Sequence, residues 1–166
     1  MTREPIALDA RELPLGASGD RTYLLCLLRE YLRQAPDQRF VLCYSDGSVT
    51  GLDPGDEAPN LDLAAFGIRP GWLWTPVAWP RWLRREHARI AHAQHLVPLL
   101  SPCPTVLTIH DVSFLAHPEW FPVPQRRVMQ RLIPLAARAA TVIVTGSSHA
   151  AGEIARYCRV RRSKIR

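Results

Sequence analysis

The chain has 166 residues, 47% apolar and 22% charged, which suits one domain whose core buries roughly 70% of the unfolded surface and excludes a mainly disordered chain. A formal charge of +6 and a pI near 9.7 suggest an anionic partner, but six of the 21 bases, and no acid, fall within residues 156–166. Removing those six leaves 15 bases against 15 acids, so residues 1–155 are formally neutral and the total charge is weak support for a nucleic-acid partner.

In chain order, Pro5-Ile-Ala-Leu-Asp9 is a short apolar run ending in a carboxylate, as in a buried first strand. A loop with Pro14, Gly16 and Gly19 leads to a helix over Asp20–Gln34, where Tyr23, Leu24, Leu27, Leu28 and Tyr31 recur at helical spacing. Asp20 is the expected N-cap and Pro36 closes the segment. Phe40–Tyr44 reads as a second strand, and residues 45–60, rich in Gly, Pro, Asp and Ser, as a mobile loop.

Residues 61–90 carry the weakest pattern. Trp72–Thr75 reads as a strand, Trp79–Arg89 as a short helix started by Pro80, and Arg89–His92 as a strand before a proline-rich turn. Thr105–Ile109, with four β-branched residues, is the clearest strand and runs into His110 and Asp111. A helix over Pro124–Ala140 contains Pro134, a site for a kink. Thr141–Thr145 is the last strand, and Ser147 or Ser148 caps a final helix towards Tyr157. Strands alternating with helices predict an α/β, Rossmann-like open parallel sheet with helices on both faces, as a single domain over 1–166.

Ligands of such sheets bind beyond the carboxyl ends of the strands. Loops 10–19, 110–118 and 146–149 are expected to meet there. In the first, Gly16 and Gly19 allow close backbone approach, and the following helix start offers N–H groups to a phosphate. In the second, His110 can donate to a developing oxyanion or accept a proton, and Asp111 can orient the ring or a sugar hydroxyl. In the third, Ser147 caps the helix and can also reach a phosphate or hydroxyl. His92-Ala-Gln-His95 with His87 nearby invites a metal reading. Two imidazoles three apart share a face only on a helix, and no third ligand is marked, so no metal is expected. The Trp/Arg segment 71–85 suits either packing or a membrane or polyanion contact, and the helical spacing of Trp79, Trp82 and Leu83 favours packing.

No apolar stretch reaches spanning length, the charged N-terminus is unlike a signal peptide, and Cys26, Cys43, Cys103 and Cys158 form no disulfide or zinc pattern. The expected compartment is the cytoplasm, with a peripheral contact at the inner face of the membrane left open.

Taken together, Ile6–Arg11, the glycine loop with Arg21-Thr-Tyr23, and His92–Pro98 resemble the N-terminal domain of glycosyltransferase family 4 enzymes. Pro104–Phe114 with its T-I-H-D-V-S-F run, His117-Pro-Glu-Trp-Phe121, Ala139–Ser147 and Lys164-Ile165 follow in the family's order. The resemblance implies the N-terminal, acceptor-side half of a two-domain GT-B enzyme that transfers a sugar from a nucleotide-sugar to a glycan or lipid-linked acceptor, with retention and without a required metal or other cofactor. It further implies that Gly16 and Gly19 lie beside the donor diphosphate, that His110 stands near the transferred sugar, that Asp111 supports its loop and that Ser147 opens a helix. The family's second domain holds most of the nucleotide-binding surface. Residues 1–166 are therefore expected to be inactive in glycan biosynthesis without that domain or a partner chain supplying it. The loop Gly16-Ala-Ser-Gly-Asp-Arg21 departs from the family's tighter Gly-x-Gly-Arg arrangement. The rival expectation is a non-catalytic Rossmann-like module that uses the basic tail and the Trp/Arg segment on a membrane or polyanion.

Overall fold

Six parallel strands stand in the order β3-β2-β1-β4-β5-β6, the strand order of a doubly wound, Rossmann-like α/β sheet. They are β1 (Ile6–Asp9), β2 (Phe40–Tyr44), β3 (Leu61–Ala65), β4 (Ile90–Gln94), β5 (Thr105–Thr108) and β6 (Val142–Val144). The computed structural model describes residues 4–11, 13, 18–44, 58–68 and 71–166. Gly16 and most of the loop expected at 45–60 (residues 45–57) lie outside those residues. Two compact units divide the chain, Met1–Ala91 and His92–Arg166.

In the first unit, β1 pairs with β2 in the register Leu8↔Leu42, and β2 pairs with β3. Helix α1 (Gly19–Gln34) buries Leu24 and Leu28 against Leu8, Phe40 and Leu42, and Tyr31 stacks on Phe40 at 5.6 Å. The helix starts earlier than Asp20. Ser18 is the N-cap, its Oγ accepting from the Arg21 N–H at 3.1 Å, and Asp20 falls in the first turn. A serine one residue before a glycine satisfies the orphan N–H, while the Asp20 charge still favours the positive helix end.

Two expectations fail between residues 61 and 90. The strand β3 was not predicted, because L-D-L-A-A has neither β-branched residues nor a clean alternation. Trp72–Thr75 is no strand: Gly71–Leu73 is a 3-10 turn and Trp74–Ala78 a π-helical turn, leading into α2 (Trp79–Arg85) with Pro80 in its first turn. Trp74, Trp79 and Trp82 are buried, and Phe66 meets Trp74 and Trp82 edge-on at 4.7 and 5.8 Å. Core packing explains this segment, so three of its tryptophans are unavailable to a membrane or polyanion. Only Trp72 is exposed among them.

In the second unit, β5 and β6 pair in the register Leu107↔Ile143. Thr105 and Thr141 fasten their starts: the Thr105 N–H donates to Thr141 Oγ1 (3.0 Å), and the Thr141 N–H to the Thr105 carbonyl (2.9 Å). Between the strands come a short α3 (Ser113–Ala116), a 3-10 turn (Pro118–Trp120) and α4 (Val123–Ala139), which begins one residue before Pro124 and holds Pro134 on its buried side. Helix α5 (Ser148–Cys158) packs Ala150, Ala151 and Ile154 into the core beside α4. The basic segment then turns back. Ile165 is buried and forms a parallel bridge with Ile143, so the chain re-enters the sheet beside β6 while Arg159, Arg161, Arg162 and Arg166 stay in solvent.

Candidate functional site

The second unit gathers chemistry at the carboxyl ends of β4, β5 and β6. Strand β4 reads I-A-H-A-Q, so His92 and Gln94 point to the same face, two residues apart. Both are buried. His92 Nε2 shares a 2.9 Å hydrogen bond with Thr108 Oγ1, and burial pushes its pKa down to about 4, which keeps the ring neutral at physiological pH. It is a core residue whose Nε2 is satisfied by Thr108.

One residue beyond β4, His95 has a left-handed backbone (φ 64°) and donates its N–H to the Thr108 carbonyl at 3.0 Å. Such a conformation is uncommon for a residue with a Cβ, and it turns the chain away from the sheet while still tied to β5. Its ring stands edge-on to that of His110, with centroids 6.0 Å apart.

His110 lies two residues past β5 and is half-buried. Its Nε2 lies 3.1 Å from Gln94 Oε1. An amide oxygen only accepts, so Nε2 carries the proton and the neutral ring has an unprotonated Nδ1. One residue beyond β6, Thr145 Oγ1 donates to the His110 carbonyl at 3.4 Å. The ring is thus oriented from one neighbouring strand and its backbone held from the other.

Asp111 is exposed and accepts from both the N–H (2.8 Å) and the hydroxyl of Ser113, closing a turn at the start of α3. Partial burial pushes its carboxyl up, but the two Ser113 bonds, with a smaller electrostatic contribution from the nearby His110 and His95 rings, hold it below the ordinary carboxylate range. Asp111 therefore braces the turn that opens α3. Ser147 is the N-cap of α5, accepting from the Ala150 N–H at 3.1 Å; of the two serines proposed for this role, Ser147 has it.

Gly19, in the first turn of α1, is exposed, and a Cβ added there would meet nothing within 4 Å. Its expected close approach to a ligand is therefore not reflected in the protein's own packing. A second polar group was missed in the first unit. Asp9, at the end of β1, is buried and gripped by Arg11 through Nε (3.0 Å to each oxygen) and NH2 (2.7 Å), with the guanidinium 5.7 Å over the Trp74 ring. Burial raises the Asp9 carboxyl, opposed by Arg11 and the Trp74 indole. This pair is structural, and Arg11 is already committed.

Sequence reasoning singled out His110, Asp111 and Ser147 but not Gln94 and Thr145, whose contacts with His110 depend on which strands adjoin β5. The His92/His95 pair is split between a buried face and a turn. Among the described residues, no three His, Cys, Asp or Glu side chains come together as a metal site, and no helix is long and apolar enough to cross a membrane.

The family model described as Glycosyltransferase Family 4 covers residues 22–166, which includes His95, His110, Asp111 and Ser147. A search among curated proteins found no match.

Proposed function

Because the chain belongs to Glycosyltransferase Family 4, we propose that it acts as the N-terminal, acceptor-side domain of a retaining glycosyltransferase. The donor is a nucleotide-sugar and the acceptor a glycan or lipid-linked hydroxyl. In the transfer, the bond from the anomeric carbon to the diphosphate oxygen breaks and a bond to the acceptor oxygen forms. The acceptor hydroxyl loses its proton, and the nucleoside diphosphate leaves with the bonding pair.

The observation that carries this reading is the orientation of His110 at the carboxyl ends of parallel strands. A ring held by Gln94, on a backbone held by Thr145, presents a fixed polar group to a sugar without reorganising at the moment of reaction, which is how preorganised groups lower a barrier. In this proposal His110 touches the transferred sugar, and Asp111 positions its loop. In the same proposal Ser147, at the start of α5, contacts a donor hydroxyl or phosphate.

Stabilising a leaving diphosphate also takes cationic groups and helix ends opposite this face. We assign those to a second, donor-binding domain or a partner chain. Nucleotide release by residues 1–166, incubated with UDP- and GDP-sugars, tests the division. The proposal expects no appreciable nucleoside diphosphate to form; robust turnover would contradict it.

A further inference from the structure

Helix α4 carries four arginines and no acid. At 100° per residue, Arg127, Arg131 and Arg138 form one outward strip, and Val128, Leu132 and Leu135 lie directly beside it. All six are exposed, whereas Ile133, Ala136 and Ala137 fill the far, buried side and Pro134 is buried at the strip's edge. Val128 is 55% exposed, and Trp120, just ahead of the helix, 66%. A helix that merely faces water carries polar residues of mixed sign there; this one presents leucine and valine flanked by like charges.

At the C-terminal end of α4 the same strip opens into a hollow of about 330 Å³. Arg138, Arg159, Arg161 and Lys164 line it, with Thr141 and Ser163 between them. Arg138 donates to the Cys158 carbonyl (3.1 Å) and Lys164 Nζ to the Arg138 carbonyl (2.7 Å), which fixes the rim. Among the described residues none of these four cations has an ion-pair partner. Four like charges around one concavity favour a phosphate group inside it.

We propose that this face of the second unit, the outward strip of α4 together with the cationic hollow, docks on an anionic phospholipid surface. The apolar side chains enter the interface, the arginine stems lie along it with their heads at the phosphates, and the hollow takes one headgroup. A second copy of the chain is the poorer occupant, since a two-fold contact would set Arg127, Arg131 and Arg138 against their own equivalents. The inference stands apart from the transferase reading, because surface binding needs no donor or acceptor.

Co-sedimentation of residues 1–166 with phosphatidylcholine vesicles, with and without phosphatidylglycerol, tests it. Binding is expected only to the anionic vesicles. R138Q/K164Q should weaken it about 25-fold, from roughly fivefold per charge near an anionic surface. L132S/L135S should weaken it at unchanged charge, whereas R81Q/R84Q on α2, which removes as much charge elsewhere, should change it by no more than about twofold. Circular dichroism confirms that each variant is folded. Equal binding to both vesicles, no binding to either, or equal loss in the R81Q/R84Q control would overturn the proposal. So would a dimer abolished by L132S/L135S, which would make a second copy the occupant.

Discussion

His110 Nε2 and Gln94 Oε1 are 3.1 Å apart, and this contact ties the ring beyond β5 to the end of the adjacent strand β4. It sets the tautomer, because the amide oxygen can only accept. In Gln94→Ala the neutral ring should lose its Nε2–H preference and populate both tautomers, at a stability cost of about 1 kcal/mol. Ring nitrogen chemical shifts report this directly. A mutant ring with the wild-type tautomer would show that something other than Gln94 orients it.

His92 makes stability depend on pH. Its folded pKa is about 4, against 6.5 for an ordinary histidine. Between those values the unfolded chain takes up a proton that the folded chain does not, so stability is full above about pH 6.5 and falls as the pH is lowered towards 4. The loss is on the order of 3 kcal/mol. Urea unfolding at neutral and at acid pH should show a clearly smaller acid loss for His92→Asn than for the wild type. Equal losses in both proteins would contradict burial of a neutral ring.

Arg11→Ala removes the only cation that grips the buried Asp9 among the described residues. Breaking such a pair from one side costs about 3–5 kcal/mol, because the remaining charge stays desolvated. Denaturant unfolding should find R11A far less stable than Asp9→Asn/Arg11→Met, which removes both charges. If R11A cost no more than a surface substitution, the pair would be energetically idle.

The two helix caps give a paired comparison. Ser147→Ala and Ser18→Ala should each cost about 1 kcal/mol by thermal or urea unfolding, while Ser148→Ala and Asp20→Ala should cost less. The reverse order would place both caps one or two residues later.

Local signals made much of the fold readable. Thr105–Thr108 is β-branched, α1 has helical spacing, and Ser147 stands ahead of an apolar run, so each element announces itself within a few residues. Trp72–Thr75 misled because two closely spaced tryptophans look like a strand, while the fold sets them on successive tight turns, with Trp74 in the core and Trp72 exposed. Strand β3 was hidden because its stability comes from pairing with β2, at Phe40↔Leu61 and Leu42↔Leu63, and from little in its own composition. The site divides the same way. His110 and Asp111 follow the clearest strand, but Gln94 and Thr145 become partners of His110 only through strand order, a property distributed along the whole chain.

On the proposed reading, sugar donors engage the carboxyl-end cluster around His110. The direct measurement is a titration of isotopically labelled residues 1–166 with UDP- and GDP-sugars, following amide and imidazole resonances. The account predicts that at least one of them shifts His95, His110, Asp111 and Ser113 together, with the shifts reduced in His110→Ala. Shifts confined to other residues, or unchanged in His110→Ala, would contradict it.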